Sequence, residues 1–547
     1  MSRTIQILFI VALFLVSVSV FAADAGVDAN VPSCFIKDGD RVGFYGDSIT
    51  EAKAYGILTE QVFRHFHPDA KVTFINNGHS GMQLAGTTIE MITTGDPNVV
   101  TIMMGMNDAI NASWSRGKPM APAVAAYKAK LSSLVNELKA KNIEVIILTP
   151  TSTDETASLS SFYLDGTHQL LIEFGKACVE VAKEKSVYCV PVQEELEAYE
   201  ATLPPPVVLR PDGVHPNARG HYQISRSIWK HLNFAGSLAG GRSVMAAPPQ
   251  LDINLALATN MLPAEAESLE FTVTTPKPTQ ATVTWNLGLT RGTEVLNLTG
   301  KNSWMLKLPK DALPQAAGKS VNLVLDIESQ GIHQEFVVDV FRKMVIHGKD
   351  GAATGTMTDA KGTQICSYLF RKEGKTLVVE VAVKKQELFQ TNNDIWPWGS
   401  GDALTLYLDI RKTANLSGLG FDGDVYQLWF KPQEKPFFSP GFHPYSGKHL
   451  TNVATDYGTR TADGYKVGLL LSGYVNIKEH FDVSDRDFIG FDLQVITAEA
   501  IGKQTWNSLL NSDRQNFLFP GVFAIADLYG KLPGDSVSTA SIFPDNL

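Results

Sequence analysis

Four short polar motifs in the N-terminal part of the chain carry side chains that could together hydrolyse an ester. The motifs are Gly46-Asp47-Ser48, Asn76-Asn77-Gly78-His79, Gly105-Met106-Asn107-Asp108 and Asp212-Gly213-Val214-His215. Ester hydrolysis needs a nucleophile, a base that takes its proton, and hydrogen-bond donors for the oxyanion that forms. In chain order, the motifs offer a hydroxyl, a glycine main chain, a neutral amide and an imidazole.

The predicted nucleophile is Ser48, which follows an apolar run at residues 42–45 and a small, sharp turn. A free serine hydroxyl is a poor nucleophile at neutral pH, so it needs a base, and His215 is the predicted base. Asp212 lies three residues before His215. On one short loop its carboxylate can accept the Nδ1 proton of the imidazole and so fix the tautomer. These three residues form the predicted catalytic triad.

The predicted oxyanion donors are the main-chain N–H groups of Ser48 and Gly78 and the side-chain amide of Asn107. A glycine at position 78 lets the main chain approach a substrate closely, because it has no side chain. An asparagine amide donates a hydrogen bond and does not titrate. Removal of one such donor typically lowers the rate about 100- to 1000-fold.

Taken singly, each motif has an ordinary structural explanation. Ser48 could belong to a turn or a helix cap, His215 could be a surface loop histidine, and Asn107 could form an Asx turn after a strand. Asp47 and Asp108 are predicted to brace their loops by accepting main-chain N–H hydrogen bonds. The occurrence of all four motifs in one order favours the catalytic interpretation.

Together the four motifs resemble the SGNH hydrolases, also called GDSL esterases, whose four blocks supply Ser, Gly, Asn and His in this order. The resemblance covers roughly residues 38–235. It implies that Ser48, Asp212 and His215 are catalytic, and that Ser48, Gly78 and Asn107 line the oxyanion hole. It leaves the substrate open, because such relatives include lipases, thioesterases, sugar deacetylases and acyltransferases.

The hydrophobic pattern from residue 40 to about residue 234 alternates short apolar strands with amphipathic helices. The helices are predicted at residues 57–66, 87–94, 123–139, 168–185 and 219–232, and the strands at residues 72–76, 99–104, 143–148 and 187–192. This alternation predicts a flavodoxin-like, three-layer α/β/α domain with a parallel sheet. Ligands bind beyond the carboxyl ends of the strands in such sheets, where Ser48, Gly78 and Asn107 are expected.

The composition of the chain changes after this domain. The catalytic domain is predicted at residues 33–235, and a segment rich in glycine, proline and small residues at 236–250 is typical of a linker. Period-two patterns then predict a small β-sandwich at residues 251–341 and a larger one at residues 342–547.

The region that includes Asn393-Asp394-Ile395-Trp396-Pro397-Trp398 and Tyr407-Leu408-Asp409 looks like the carbohydrate-binding module family 9-like fold. Flat aromatic faces pack on pyranose rings, so Trp396 and Trp398 are candidate sugar platforms, although tryptophan in a sandwich often lies in the core. Weaker candidates are Tyr426 and Trp429. A structural calcium could be held by Asp394, Asp402 and Asp409. The catalytic scheme itself requires no metal or cofactor.

Residues 1–23 have the pattern of a secretory signal. Arg3 supplies the positive start, residues 5–21 are mostly apolar, and Val20-Phe21-Ala22 resembles a cleavage site. An uncleaved anchor is the alternative. We therefore predict an exported protein that is secreted, periplasmic or attached to the cell surface.

The composition restricts the partners of the protein. The formal net charge is −10 and basic clusters are absent from the sequence, which argues against nucleic acid or an anionic membrane as a partner. Cys34, Cys178, Cys189 and Cys366 are few for 547 residues and have no paired metal-ligand spacing. Export would permit disulfides, but buried free thiols are an equal alternative, and we predict no bridge.

The substrate is predicted from the architecture. A long acyl chain usually requires an apolar lid, and no apolar insertion separates the four motifs, so short acyl groups are favoured. Export and two added β-domains favour an acetylated polysaccharide or glycan, with His79 and Thr151, and beside it Ser152, as candidate substrate contacts. Two alternatives remain open: a short-chain esterase or lipase acting on another substrate, and a glycan-binding surface protein with a non-catalytic scaffold.

Overall fold

The structure is a computed structural model of the 547-residue chain. It describes residues 33–113, 119–155, 164–201, 209–210, 213–245, 248–257, 261–263, 268–307, 309–313, 320–359, 361–385, 387–389, 401–410, 425–430, 449–451, 454–471, 473–475, 483–500, 503–509, 524–532 and 536–541. The predicted secretory signal lies outside these residues, so export stays a prediction.

Five parallel strands form the first sheet. They are β1 (Arg41–Gly46), β2 (Thr73–Gly78), β3 (Val99–Met103), β4 (Glu144–Leu148) and β5 (Tyr188–Val190). Their order across the sheet is β2-β1-β3-β4-β5, and every neighbouring pair is parallel. This order is that of flavodoxin-like sheets, in which the strand order reverses beside β1. The predicted parallel sheet is confirmed.

Eight helices accompany this sheet in the described residues. They are α1 (Ser48–Glu51), α2 (Ala54–Phe66), α3 (Ile89–Ile92), α4 (Met106–Ser113), α5 (Ala121–Ala140), α6 (Thr167–Lys185), α7 (Val192–Glu200) and α8 (Ala218–His231). Helix α2 packs on α8, and α5 packs on α6. A short 3₁₀ turn, Leu84–Gly86, follows β2. All five residues of β3 are buried, as expected for a strand with both faces covered.

The rest of the described chain is mostly strands. They are β6 (Asn254–Leu257), β7 (Met261–Pro263), β8 (Ser268–Leu287), β9 (Thr290–Lys307), β10 (Ser320–Ser329), β11 (Ile332–Lys343), β12 (Val345–His347), β13 (Ala352–Thr358), β14 (Gln364–Glu373), β15 (Thr376–Lys384), β16 (Ala403–Asp409), β17 (Val425–Phe430), β18 (His449–Thr451), β19 (Ala454–Thr461), β20 (Gly464–Leu471), β21 (Gly473–Val475), β22 (Phe488–Ala500), β23 (Lys503–Ser508), β24 (Ala524–Asp527) and β25 (Ser536–Ser541). A second 3₁₀ turn is Lys310–Ala312.

The middle region forms one seven-stranded sheet of antiparallel pairs. Its strands run in the order β6-β8-β10-β11-β25-β7, and β9 pairs with β8. The sequence predicts a separate small sandwich in this region. The structure has one sheet instead, and its apolar side chains belong to the same hydrophobic core as those of the α/β domain. At the contact, Tyr222 donates its hydroxyl hydrogen to Glu335 O at 2.9 Å, and Trp229 Nε1 donates to Glu335 Oε2 at 3.0 Å.

Two further sheets share a second hydrophobic core. One has six strands, β12-β24-β22-β16-β17 with β23 on β22, and the other has five, β13-β14-β15-β20-β19. Strands β18 and β21 form a separate pair. Two sheets around one core are consistent with the predicted larger β-sandwich.

Strands β12 to β24, at residues 345–527, form the third region of the chain, and the strand that follows it, β25, pairs with the middle sheet. It pairs with β11 over residues that include Val338↔Ser541, and with β7 at Leu262↔Val537. A division of the chain at residue 341 therefore separates strands that share one sheet.

Candidate active site

Ser48 is the first residue of helix α1 and follows β1 after one turn residue. Asp47 caps this helix: its Oδ1 accepts a hydrogen bond from Ile49 N at 3.0 Å. Gly46 ends β1, and a Cβ at this position would lie 2.0 Å from Thr50 Oγ1. The strand thus turns into the helix through a space that admits no side chain at position 46. The turn places the serine hydroxyl at the carboxyl edge of the sheet.

His215 lies within hydrogen-bond distance of the serine hydroxyl, with 2.8 Å between Ser48 Oγ and His215 Nε2. The histidine is on the loop before α8, whose cap residue Asn217 accepts a hydrogen bond from Gly220 N. Two main-chain contacts at Gly213 brace this loop: Asp154 N donates to Gly213 O at 2.9 Å, and Gly213 N donates to Arg210 O at 2.8 Å. The predicted third triad member, Asp212, lies outside the described residues.

Gly78 ends β2 opposite Gly46 in the register of the sheet. A Cβ at position 78 would lie 2.1 Å from Glu51 N, so the end of β2 approaches the main chain of α1 as closely as only a glycine allows. Its N–H donates to Asn76 Oδ1 at 3.1 Å. An oxyanion at this site would therefore have to share or replace that hydrogen bond.

Asn107 lies in the first turn of helix α4, rather than in a free loop after β3. Its Nδ2 donates to Met82 O at 3.1 Å. Asparagine Nδ2 carries two hydrogens, so this contact uses one of them. The hydrogen bond joins the Asn107 motif to the loop that follows Gly78.

Asp47 and Asp108 brace the site as the sequence predicts. Asp108 accepts the Leu84 N–H with both carboxylate oxygens, at 3.0 and 2.9 Å. Burial raises the pKa of Asp108, and burial raises the pKa of Asp47 to about 6. The positive charge that His215 can carry favours ionised Asp47, whereas the charge of Asp108 opposes it. Asp47 therefore lies close enough to His215 for a charge on the imidazole to act on the carboxylate.

The other predicted substrate contacts have different surroundings. His79 is half-buried, its N–H donates to Gly46 O at 2.9 Å, and its ring lies 6.0 Å from the Tyr45 ring. Thr151 and Ser152 are buried, and neither hydroxyl has a hydrogen-bond partner in the part of the chain that the structure describes. The substrate contact by Thr151 stays a prediction.

Only some of the predicted sugar platforms and calcium ligands lie within the described residues. Trp396, Trp398 and Asp394 lie outside the described residues. Tyr426 is 1% exposed and belongs to the second core, so it is not a surface platform. Asp402 contacts Lys385 Nζ at 2.6 Å and accepts hydrogen bonds from Phe389 N and Ala498 N. The calcium stays a prediction.

Among the described residues, no three His, Cys, Asp or Glu side chains are grouped so that they could hold a metal ion. No described helix has the length and apolarity needed to span a membrane. The four cysteines are free thiols.

One residue that sequence reasoning missed is Asn76. Its Oδ1 accepts the Gly78 N–H, and its Nδ2 donates to Thr50 O at 2.6 Å, so it connects the end of β2 to α1. The sequence does show an asparagine two residues before Gly78, which is a spacing at which a side-chain oxygen can accept a main-chain N–H. Its role could be assigned only once the side-chain direction was known.

Residues 44–223 match the model of the GDSL-like Lipase/Acylhydrolase family. This match supports the resemblance of the α/β domain to the SGNH hydrolases, and it supports an ester hydrolase as the class of enzyme. It covers the α/β domain alone. The resemblance of the third region to a carbohydrate-binding module has no support. A search of the curated proteins finds no match to the chain.

Several solved structures are similar to part of the chain. Axe2, an acetylxylan esterase from Geobacillus stearothermophilus, is 23% identical over 38% of this chain and 100% of its own, with a TM-score of 0.32. LAE5, an alpha/beta hydrolase enzyme from the metagenome of Lake Arreo in Spain, is 21% identical over 38% of this chain and 100% of its own, with a TM-score of 0.32. At these scores the likeness says nothing about the substrate of this chain.

Proposed function

We propose that the α/β domain is a serine esterase that removes short acyl groups, and acetyl groups in particular, from a carbohydrate. The observation that carries the proposal is the 2.8 Å contact between Ser48 Oγ and His215 Nε2 at the carboxyl edge of the parallel sheet. A serine with a histidine at this distance is the arrangement that nucleophilic acyl transfer requires.

In the proposed reaction, Ser48 Oγ attacks the ester carbonyl carbon while His215 Nε2 takes the hydroxyl proton. The tetrahedral intermediate collapses, the bond to the sugar oxygen breaks, and His215 returns the proton to that oxygen. Water, activated by the same histidine, then hydrolyses the acyl-serine and releases the acid. Asp212 is proposed to hold the imidazole in the tautomer that presents Nε2 to the serine.

Three donors are proposed to stabilise the oxyanion. Ser48 is the first residue of α1, where main-chain N–H groups have no acceptor within the helix. Asn107 Nδ2 keeps a second hydrogen beside the one donated to Met82 O. Gly78 N–H is proposed to turn from Asn76 Oδ1 to the oxyanion as charge develops, because an anionic acceptor forms the stronger hydrogen bond.

The preference for short acyl groups is supported by the surface of the α/β domain. The large apolar side chains that are exposed in its described part are Ile57, Met120 and Val179, and none of them belongs to the four motifs. A long acyl chain would need a continuous apolar channel beside the serine. The carbohydrate is proposed from the predicted export of the protein and from its large β-rich regions.

The test is hydrolysis by the full-length protein, its Ser48→Ala variant and the matched control Ser133→Ala, which alters an exposed serine on α5. The substrates are acetylated polysaccharides and aryl esters of short and long acyl chains. We expect acetate release that falls at least about a thousandfold in Ser48→Ala and is unchanged in Ser133→Ala. Release from long-chain esters alone would indicate a lipase. No Ser48-dependent release would favour the non-catalytic glycan-binding alternative.

A further inference from the structure

An open, solvent-facing polar cavity of about 440 Å³ lies beside the loop that carries His215. The residues that matter for its chemistry are Thr153, His168, Glu197, Glu200 and Arg210, and we call it the Arg210 cavity. Its volume is within the range of small-molecule sites. None of these side chains belongs to the proposed catalytic machinery.

The Arg210 cavity is connected to the candidate active site through the main chain. Arg210 O accepts the Gly213 N–H at 2.8 Å, and Asp154, which also lines the cavity, donates its N–H to Gly213 O at 2.9 Å. Gly213 comes two residues before His215. A ligand in the cavity would thus lie next to the loop that presents the histidine to Ser48.

Arg210 is a buried cation with spare hydrogen-bond donors. Its side chain is 4% exposed, and it forms an ion pair with Glu200 through Nη2. Its Nε and Nη1 are buried and have no hydrogen-bond partner among the described residues. A guanidinium normally uses most of its donors when it is removed from water, because unpaired buried polar groups are costly. These donors indicate a ligand or bound solvent in the cavity.

Three other buried polar atoms of the cavity also lack a partner within the described ranges. They are Thr153 Oγ1, His168 Nδ1 and Glu197 Oε1. Glu197 Oε1 lies 3.9 Å from His168 Nε2, which is beyond hydrogen-bond distance. Unpaired donors and unpaired acceptors therefore line the same cavity. Such a concentration of unpaired groups is unusual in a folded protein.

The chemistry of the ligand follows from these groups. An apolar ligand would leave all of them unpaired. The cavity is lined by four carboxylates, of Asp154, Glu155, Glu197 and Glu200, against one guanidinium, so an anion would be repelled. Sugar hydroxyls donate and accept hydrogen bonds at once, which suits a lining of both kinds.

We infer that the Arg210 cavity is a subsite for a neutral sugar unit, held through its hydroxyls beside the unit that carries the acyl group. The position of this sugar beside an acylated unit rests on the proposed function. The binding of a sugar in the cavity is a separate matter that can be measured without catalysis.

The first test measures binding by calorimetry to the full-length protein carrying Ser48→Ala. The probes are unacetylated xylotetraose, mannotetraose and cellotetraose. In a second protein, Thr153→Val is combined with Ser48→Ala, which removes one unpaired hydroxyl and leaves a side chain of nearly the same shape. We expect the affinity for the preferred probe to fall about three- to tenfold. Arg210→Lys keeps a positive charge beside Glu200 but removes the planar fork, and we expect a larger loss.

The matched control is Thr101→Val. Thr101 is also buried, and its hydroxyl also lacks a partner in the described part of the chain, but it lies in the middle of β3, away from the cavity. Both threonine variants should melt no lower than the parent, because no hydrogen bond within the protein is lost. A structural role of Thr153 would instead lower its melting temperature.

The second test measures kcat/KM with the same oligosaccharides in acetylated form and with 4-nitrophenyl acetate. We expect Thr153→Val to lower kcat/KM about three- to tenfold on its preferred oligosaccharide and to leave the aryl ester unchanged. If Ser48-dependent hydrolysis occurs but Thr153→Val and Arg210→Lys behave as Thr101→Val in both tests, the subsite is wrong. If neither substrate is hydrolysed, the proposed function fails and the calorimetry alone decides the subsite.

Discussion

Asn107 is the residue whose proposed chemistry can be separated most clearly from its structural role. Its amide donates to Met82 O with one hydrogen and is proposed to stabilise the oxyanion with the other. Its position in the first turn of α4 holds it on a helix rather than a free loop. The side chain is therefore fixed before substrate arrives, which is the condition for electrostatic stabilisation of a transition state.

We predict that Asn107→Ala lowers kcat by about 100- to 1000-fold on a short-chain aryl ester, with a small effect on KM. The reason is that the donor acts on the charge that develops in the transition state. Steady-state kinetics measure both parameters. The matched control is Asn111→Ala, which removes an amide one turn further along the same helix. Equal losses in the two variants would contradict the assignment.

Ionisation of Asp47 makes the free energy of unfolding depend on pH. Burial raises its pKa to about 6, well above the value of 3.8 expected for an exposed aspartate. The folded state therefore binds this proton more tightly than the unfolded state does. The resulting stabilisation is present at acidic pH and is lost as the pH rises from about 4 to about 6.

We predict that Asp47→Asn flattens this part of the pH dependence of the melting temperature. The amide oxygen can still accept the Ile49 N–H, but the side chain cannot ionise. Above about pH 6 the variant should gain on the order of 2 kcal/mol in the free energy of unfolding relative to its difference from the parent at pH 4. Melting curves across this range check it, with the exposed Asp69→Asn as the control. A parallel pH profile for Asp47→Asn and the parent would overturn the prediction.

The contact between β2 and α1 is the element-scale feature on which the nucleophile depends. Gly78 at the end of β2 faces the main chain of α1, and Asn76 fastens the two with a hydrogen bond to Thr50 O. Any widening of this contact moves the first turn of the helix, and Ser48 with it.

We predict that Gly78→Ala lowers kcat at least about a hundredfold and lowers stability by about 1–3 kcal/mol. The added Cβ would lie 2.1 Å from Glu51 N, so α1 must move away from β2. Kinetics and thermal unfolding of the same preparation measure the two effects. The matched control is Gly241→Ala, because a Cβ there meets no atom within 4 Å. Full activity of Gly78→Ala would show that Ser48 does not depend on this contact.

Periodicity was sufficient to predict the main helices and strands of the α/β domain, because their apolar faces are long and regular. Helix α5 (Ala121–Ala140) and helix α6 (Thr167–Lys185) agree with their predicted ranges within two residues. Helices α4 and α7 were not predicted, since each is short, and α4 begins within a motif that also suits a turn. The hydrogen bond from Gly78 N to Asn76 depends on a side-chain rotamer, which the sequence does not specify.

At the scale of the whole molecule, the middle sheet packs on the α/β domain and also contains β25, the last of the described strands. Glu335 on β11 holds Tyr222 and Trp229 of α8, and the two regions share one core. The sequence could suggest strands here from their alternation. It could not show that β25 pairs with β11, because strand pairing across about 200 residues leaves no local pattern.

We predict that deletion of residues 536–547 lowers the melting temperature of the protein and promotes aggregation. Without β25, β11 presents an unpaired edge and β7 loses the strand it pairs with. Differential scanning calorimetry and light scattering check the two effects. Deletion of residues 542–547 alone keeps β25 and is the control. Identical behaviour of the two deletions would show that β25 contributes little.

The return of β25 also imposes an order in time on the folding of the protein during its synthesis. Strand β11 ends at residue 343 and β25 begins at residue 536, so the middle sheet cannot be completed until residues 536–541 have left the ribosome. For that interval the edge of β11 stays open, and the third region must fold as an insertion whose two ends meet in the same sheet. The period of greatest risk for misassembly should therefore fall between the synthesis of β11 and that of β25, and a chaperone that shields an open strand edge would act there.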